Sequence, residues 1–293
     1  MSHLIERVGE TLSFLGEGPV WDDQTSTILW VDILDGFVHA HDPATGRHST
    51  LSLGEPVGVV AGCPDGRLVA GLKGGFAFVD RRTGRIERID DPEVHLPGNR
   101  FNDGKCDPAG RFWAGTMPLT EDKPTGSLYM MGADRNAHRM VTSVTISNGL
   151  AWSLDRRYMY YIDTPTMLVA RFDYDDATGS LGARSIAFRI PREDDYPDGM
   201  TIDAEGMLWV AHWGGWQLTR WDPVRGVKLQ SIRMPVSNVT SCTFGGPGFT
   251  DLYVTSARKG LSDAQLDAQP LAGALFVIRG TGIKGLPAQR YLG

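Results

Sequence analysis

Four polar side chains, Glu17, Asn102, Asn148 and Asp198, open four versions of one phrase: Glu17-Gly-Pro-Val-Trp-Asp, Asn102-Asp-Gly-Lys-Cys-Asp, Asn148-Gly-Leu-Ala-Trp-Ser and Asp198-Gly-Met-Thr-Ile-Asp. Two carboxylates and two amides all offer oxygen. Brought to one place, the carboxylates repel and each loses several kcal/mol of hydration, a conflict that a cation resolves. Oxygen ligands favour a hard divalent ion such as calcium, magnesium or manganese. Zinc and ferrous iron also accept them, so ligand type does not choose the metal. The competing use of Asn and Asp is to cap the backbone where a strand starts. Four residues in phase, one of them a Glu with no turn preference, favour a metal.

The elements that must position these residues follow from the repeat itself. Less polar versions of the phrase begin near Gly58 and near Thr240, which makes six copies spaced by roughly 41 to 50 residues, the range for four-stranded propeller blades. Helical periodicity is almost absent, and runs of β-branched and aromatic residues recur between Gly, Pro and Asp. The class is all-β, a six-bladed β-propeller with a divalent metal in its central channel, read as one domain over residues 1–293. In one blade the expected strands are 198–202, 207–211, 217–221 and 227–232. Asp42-Pro-Ala-Thr-Gly, Asp80-Arg-Arg-Thr-Gly, Asp175-Asp-Ala-Thr-Gly and Asp222-Pro-Val-Arg-Gly turn the third strand into the fourth, with Asp capping and Gly taking the positive φ. The N-terminal segment 5–14 is expected to complete the last blade beside residues 274–279.

Alternating strands send every second-to-third-strand loop to the face where the inner strands begin. That face collects residues 32–36, 72–75, 116–126, 163–167, 212–216 and 255–260, and the four polar side chains converge at its channel mouth. Arg100, at the start of the strand that carries Asn102, can donate to ligand oxygens; an ion pair with Glu93 or Asp103 is its competing use. His212 and Trp216 supply a titratable group and a stacking surface over the mouth, suited to a substrate wall. His39 and His41 share a strand face but precede the Asp42 turn at the wrong end of the ring. Trp21, Trp113, Trp152 and Trp209 fall at repeat positions inside blades and read as core.

Composition narrows the partners. A net charge of −6 without a basic cluster argues against nucleic acid. No apolar stretch is long enough to span a bilayer, and the first residues lack the order of a signal peptide, so a cytoplasmic protein without membrane association is expected. Cys63, Cys106 and Cys242 match no zinc spacing and are expected as buried thiols. A small molecule is the expected partner, bound by a monomer or weak homo-oligomer.

The segments Gly16-Glu-Gly-Pro-Val-Trp, Asn99-Arg-Phe-Asn-Asp-Gly-Lys, Ala114-Gly-Thr-Met, Ser147-Asn-Gly-Leu-Ala-Trp-Ser, Tyr160-Tyr-Ile-Asp, Pro197-Asp-Gly-Met and Cys242-Thr-Phe-Gly-Gly resemble the regucalcin, gluconolactonase and luciferin-regenerating enzyme family over nearly the whole chain. The resemblance implies a six-bladed propeller that hydrolyses a sugar lactone with one divalent metal ion: calcium, zinc, magnesium, manganese or ferrous iron. It implies Glu17, Asn148 and Asp198 as metal ligands, Asp198 also as the base, and Arg100 and Asn102 as substrate contacts. A sugar-binding glutamate of some members falls beside Glu121, one residue out of place. Calcium-dependent organophosphate hydrolases carry a similar Glu, Asn, Asn and Asp set, so a phosphotriesterase is the alternative. A non-catalytic metal-binding propeller is another.

Overall fold

The computed structural model describes residues 3–293, and among them the strands form six antiparallel four-stranded sheets. The inner strands are Gly16–Asp22, Val57–Gly62, Asn99–Cys106, Ser147–Trp152, Tyr196–Ile202 and Val239–Gly245, one for each of blades 1 to 6. Each packs on the next, and the sixth returns to the first, closing the ring. The expected fifth blade appears as Tyr196–Ile202, Leu208–Trp213, Gln217–Asp222 and Val227–Arg233. Leu4–Leu12 pairs antiparallel with Ala274–Arg279 and completes blade 6 as its outermost strand, which covers the edge that Ala274–Arg279 would otherwise leave open.

Burial explains why the second and outermost strands read so differently. Strands such as Phe112–Pro118 and Leu208–Trp213 are covered on both faces by neighbouring blades and are apolar almost throughout, whereas outermost strands such as His48–Ser52 and Val227–Arg233 are mostly exposed and polar. Blade contacts use the expected tryptophans: Trp113 meets Trp152 edge-on at 5.8 Å, and Trp209 meets Phe244 at 5.9 Å. Aspartates lock the first turns. Asp107 accepts from the backbone of Ala109 and Arg111 and from Trp113 Nε1 at 2.9 Å; Asp203 repeats this with Glu205, Met207 and Trp209 Nε1 at 3.0 Å. Cys63, Cys106 and Cys242 are free and buried.

Two features of the inner strands aim side chains into the channel. All six slip register against their second strands near the start of the phrase, between Glu17 and Val20, Val57 and Val59, Phe101 and Gly104, Asn148 and Leu150, Pro197 and Met200, and Val239 and Ser241. A bulge there turns the polar residue toward the axis. In three of the six strands the glycine that follows, Gly58, Gly149 or Gly199, lets adjacent inner strands touch. A Cβ on Gly149 would lie 2.6 Å from Met200 Cβ, and one on Gly199 would lie 2.1 Å from Ser241 Oγ.

The structure departs from expectation in the loop of blade 6, where Asp263–Ala268 form a short helix capped by Ser262 and Gln265. The six residues are too few for helical periodicity to show. At the opposite face, residues 286–289 close a cavity of about 130 Å³ that reaches up to Asp103 and Lys105. Tyr291 anchors this tail, donating its backbone N–H to Gly62 O and its hydroxyl to Gly132 O. The channel therefore opens toward the polar residues at one end.

Candidate functional site

Glu17, Arg100, Asn102, Glu121, Asn148 and Asp198 line one cavity of about 380 Å³ at the open mouth, together with Trp213 and Lys259. Glu17 comes from blade 1, Arg100 and Asn102 from blade 3, Asn148 from blade 4 and Asp198 from blade 5. Glu121 lies in the loop between the second and third strands of blade 3. All of them except Glu121 are buried.

Hydrogen bonds assign the two amides different tasks. Arg100 Nη1 can only donate, and it donates at 2.7 Å to Asn102 Oδ1 and at 3.0 Å to Phe101 O. The Asn102 amide nitrogen is thereby turned to Ser147 O at 2.8 Å and to Asn148 Oδ1 at 3.2 Å. Thr164, in a short 3₁₀ turn, donates its hydroxyl to Pro197 O at 2.8 Å and so must accept from Asn148 Nδ2, also at 2.8 Å. Asn148 is held from both sides with one lone pair of Oδ1 left for a ligand. Asn102 accepts from the guanidinium and donates to Asn148, and so orients both Arg100 and Asn148.

The carboxyls are strained electrostatically. Burial, and then the charge of Asp103, push the Glu17 carboxyl up from its ordinary value; burial and then Glu17 itself push Asp198 well up. Asp103 is raised by burial, against the pull of Lys105 beneath it, and Lys105 Nζ donates to Met200 O at 2.8 Å. Arg100 is drawn down to about 10 by burial, with Glu121, Glu17 and Asp198 opposing, and stays cationic at neutral pH. Two buried, crowded acids beside a fixed amide oxygen make a three-oxygen donor set that fits a hard divalent cation, open on the cavity side. Among the described residues no three His, Cys, Asp or Glu side chains form a metal cluster on their own, and the amide of Asn148 completes this set.

Two expectations need correction, and the competing use of Arg100 is not realised. Arg100 forms no ion pair with Glu93 or Asp103: it is 3% exposed and bonded to Asn102, while Glu93 accepts from Asn99, Thr116 and Tyr129. His212 does not wall the cavity. It lies within the second strand of blade 5, fully buried, with Nε2 2.6 Å from Thr219 Oγ1, and burial lowers it to about 4. Trp216 is turned away by a left-handed backbone, φ 56°, and packs under the Arg233 guanidinium. Strand alternation sends Trp213 into the cavity instead, opposite Tyr196. Lys259, paired with Glu121, was not expected, although the loop 255–260 that carries it was placed on this face.

The family model described as SMP-30/gluconolactonase/LRE-like region matches residues 15–258. Regucalcin of Gallus gallus is 41% identical over 294 residues, covering 99% of this chain and 98% of the relative. Regucalcin of Homo sapiens is 40% identical over 283 residues, 95% of each chain. A solved luciferin-regenerating enzyme superposes with a TM-score of 0.93 at 34% identity over the full length of both chains. A calcium-binding regucalcin from Agrobacterium tumefaciens gives 0.93 at 30% identity, covering 97% of this chain and 96% of that one.

Proposed function

The chain belongs to the SMP-30/gluconolactonase/LRE-like family, and from that premise we propose that it is a divalent-metal-dependent hydrolase that opens a sugar lactone, an aldonolactone or aldarolactone, to the acid. The observation that carries this reading is the convergence of Glu17, Asn148 and Asp198 below a cavity of about 380 Å³ lined by hydrogen-bonding and aromatic side chains. Such a cavity suits a small polyhydroxylated ring better than a macromolecule.

When bound, a divalent ion supplies positive charge that polarises the lactone carbonyl and stabilises the oxyanion of the addition step. Glu17 and Asp198 would hold it by charge, and Asn148 by an amide oxygen that Thr164 and Asn102 keep in place. Asp198 is the base. Its carboxylate takes a proton from the water whose oxygen attacks the carbonyl carbon, and the same proton goes to the ring oxygen as the ester C–O bond breaks. Water and lactone thus become a hydroxy acid. Arg100, aimed by Asn102, faces the cavity as a cationic donor for substrate oxygens, and Trp213 offers an aromatic face to the sugar's C–H surface.

A panel of gluconolactone, xylonolactone, arabinolactone and an aldarolactone, followed by acid release at slightly acidic pH with divalent ions supplied, tests the reading. Turnover on at least one lactone, exceeding that on a phosphotriester, is expected. Turnover of the phosphotriester alone would make the protein an organophosphate hydrolase, and inertness toward every ester would leave a metal-binding propeller.

A further inference from the structure

We propose that Lys259 selects sugar lactones carrying a carboxylate, by exchanging its partner Glu121 for the acid group of the substrate. The inference rests on the lactone-hydrolase reading for the identity of the ligand. Glu121 and Lys259 stand on the second-to-third-strand loops of blades 3 and 6, diametrically opposed in a ring of six, and their charged ends meet over the cavity both line.

Both residues are mounted for this position. The Lys259 backbone is fixed from two sides, donating to Phe14 O at 2.9 Å and accepting from the buried Asn238 amide at 3.0 Å. Its ammonium lies 5.9 Å from the centre of the Trp213 ring, which keeps a cation at the mouth whatever its second partner. Glu121 has φ 59°, a left-handed conformation that strains an L-residue, and is pinned there by its N–H to Pro118 O at 3.1 Å. The strain goes into directing a carboxylate across the channel.

The charge balance then names the ligand. With Glu17 and Asp198 assigned to the metal, the charged groups left on the cavity wall are Arg100 and Lys259 against Glu121, an excess of one cation. An added carboxylate balances it, and a neutral lactone does not. The exchange is cheap, because an ion pair whose side chains are 25% and 36% exposed contributes little. Glu121, once released, is an acceptor for sugar hydroxyls.

The test uses metal-supplied wild type, Lys259→Met, Lys259→Gln and Lys259→Arg in two arms. The first compares kcat/KM for an aldarolactone with that for an aldonolactone of the same ring size. The second measures binding of the open-chain aldarate and aldonate by calorimetry, which needs no turnover. The aldaro-to-aldono ratio is expected to fall at least tenfold in both uncharged variants, through KM, and to return in large part with arginine. A ratio unchanged within twofold in both arms, even if both substrates slow together, would overturn the inference. Wild type inert toward every lactone yet preferring the aldarate through Lys259 would sink the hydrolase reading and sustain the selectivity. Hydrolysis of both lactones at a ratio indifferent to residue 259 would do the reverse.

Discussion

Replacing Glu17 by Gln should stabilise the metal-free protein at alkaline pH and weaken the metal-loaded one. Burial, then Asp103, raise the Glu17 carboxyl from 4.5 to about 8. An acid raised by folding contributes its stability in full below the unfolded value near 4.5, and that contribution disappears as pH rises through about 8. At about 1.4 kcal/mol for each pH unit, ionising Glu17 in the folded, metal-free protein costs on the order of 4 kcal/mol. Glutamine keeps the shape and cannot ionise. Urea denaturation of chelator-treated protein at pH 5 and pH 9 measures the effect. Wild type should lose about 4 kcal/mol more than Glu17→Gln across that interval. A divalent ion at a hundredfold excess over its Kd should then return about 2.7 kcal/mol to wild type at pH 9, and far less to the variant, which has lost a charged ligand. Parallel pH curves for the two metal-free proteins, or equal gains from the ion, would refute the picture of Glu17 as a crowded acid awaiting a cation.

Three further perturbations probe base, packing and acid stability. Asp198→Asn preserves size but removes charge and proton acceptor, so kcat at saturating metal should fall by roughly 10² or more; near-normal kcat with metal bound would remove Asp198 from the base role. Gly199→Ala would set a Cβ 2.1 Å from Ser241 Oγ and 2.8 Å from Ser241 Cα, forcing the inner strands of blades 5 and 6 apart at a cost of about 1–3 kcal/mol; an unchanged denaturation midpoint would contradict the close approach. His212, lowered by burial from 6.5 to about 4, contributes stability that is complete above pH 6.5 and is lost as pH falls through 4. That loss is about 3 kcal/mol, so His212→Gln should show a shallower decline between pH 7 and 4, and an identical decline would count against a buried neutral imidazole.

The propeller was legible because its punctuation is physical. Each Asp-to-Gly turn closes on its own side chain, as Asp42 does with Ala44 and Thr45, and the glycines at 58, 149 and 199 answer close contacts between inner strands. The same phase brings Glu17, Asn102, Asn148 and Asp198 to one cavity. Side-chain direction at the mouth was less accessible. His212 and Trp213 are neighbours in one strand, and pleating sends one into the blade and the other into the cavity, a choice that loop composition does not reveal. The division of labour between Asn102 and Asn148 depends on a donor-only guanidinium and on Thr164, which is 16 residues beyond Asn148 in sequence. Lys259 reaches Glu121 over 138 residues, and no local pattern marks that pairing.

The central claim is that one divalent ion, held by Glu17, Asn148 and Asp198, is required for lactone hydrolysis. Metal-depleted protein, verified by elemental analysis, should be titrated with a divalent ion while metal bound per chain and lactone turnover are followed in the same sample. The expected result is negligible turnover at the start, rising in step with occupancy and levelling at one equivalent, with Asp198→Asn and Asn148→Ala showing weakened binding. Full turnover in the metal-depleted protein, or turnover that ignores occupancy of the site, would contradict it.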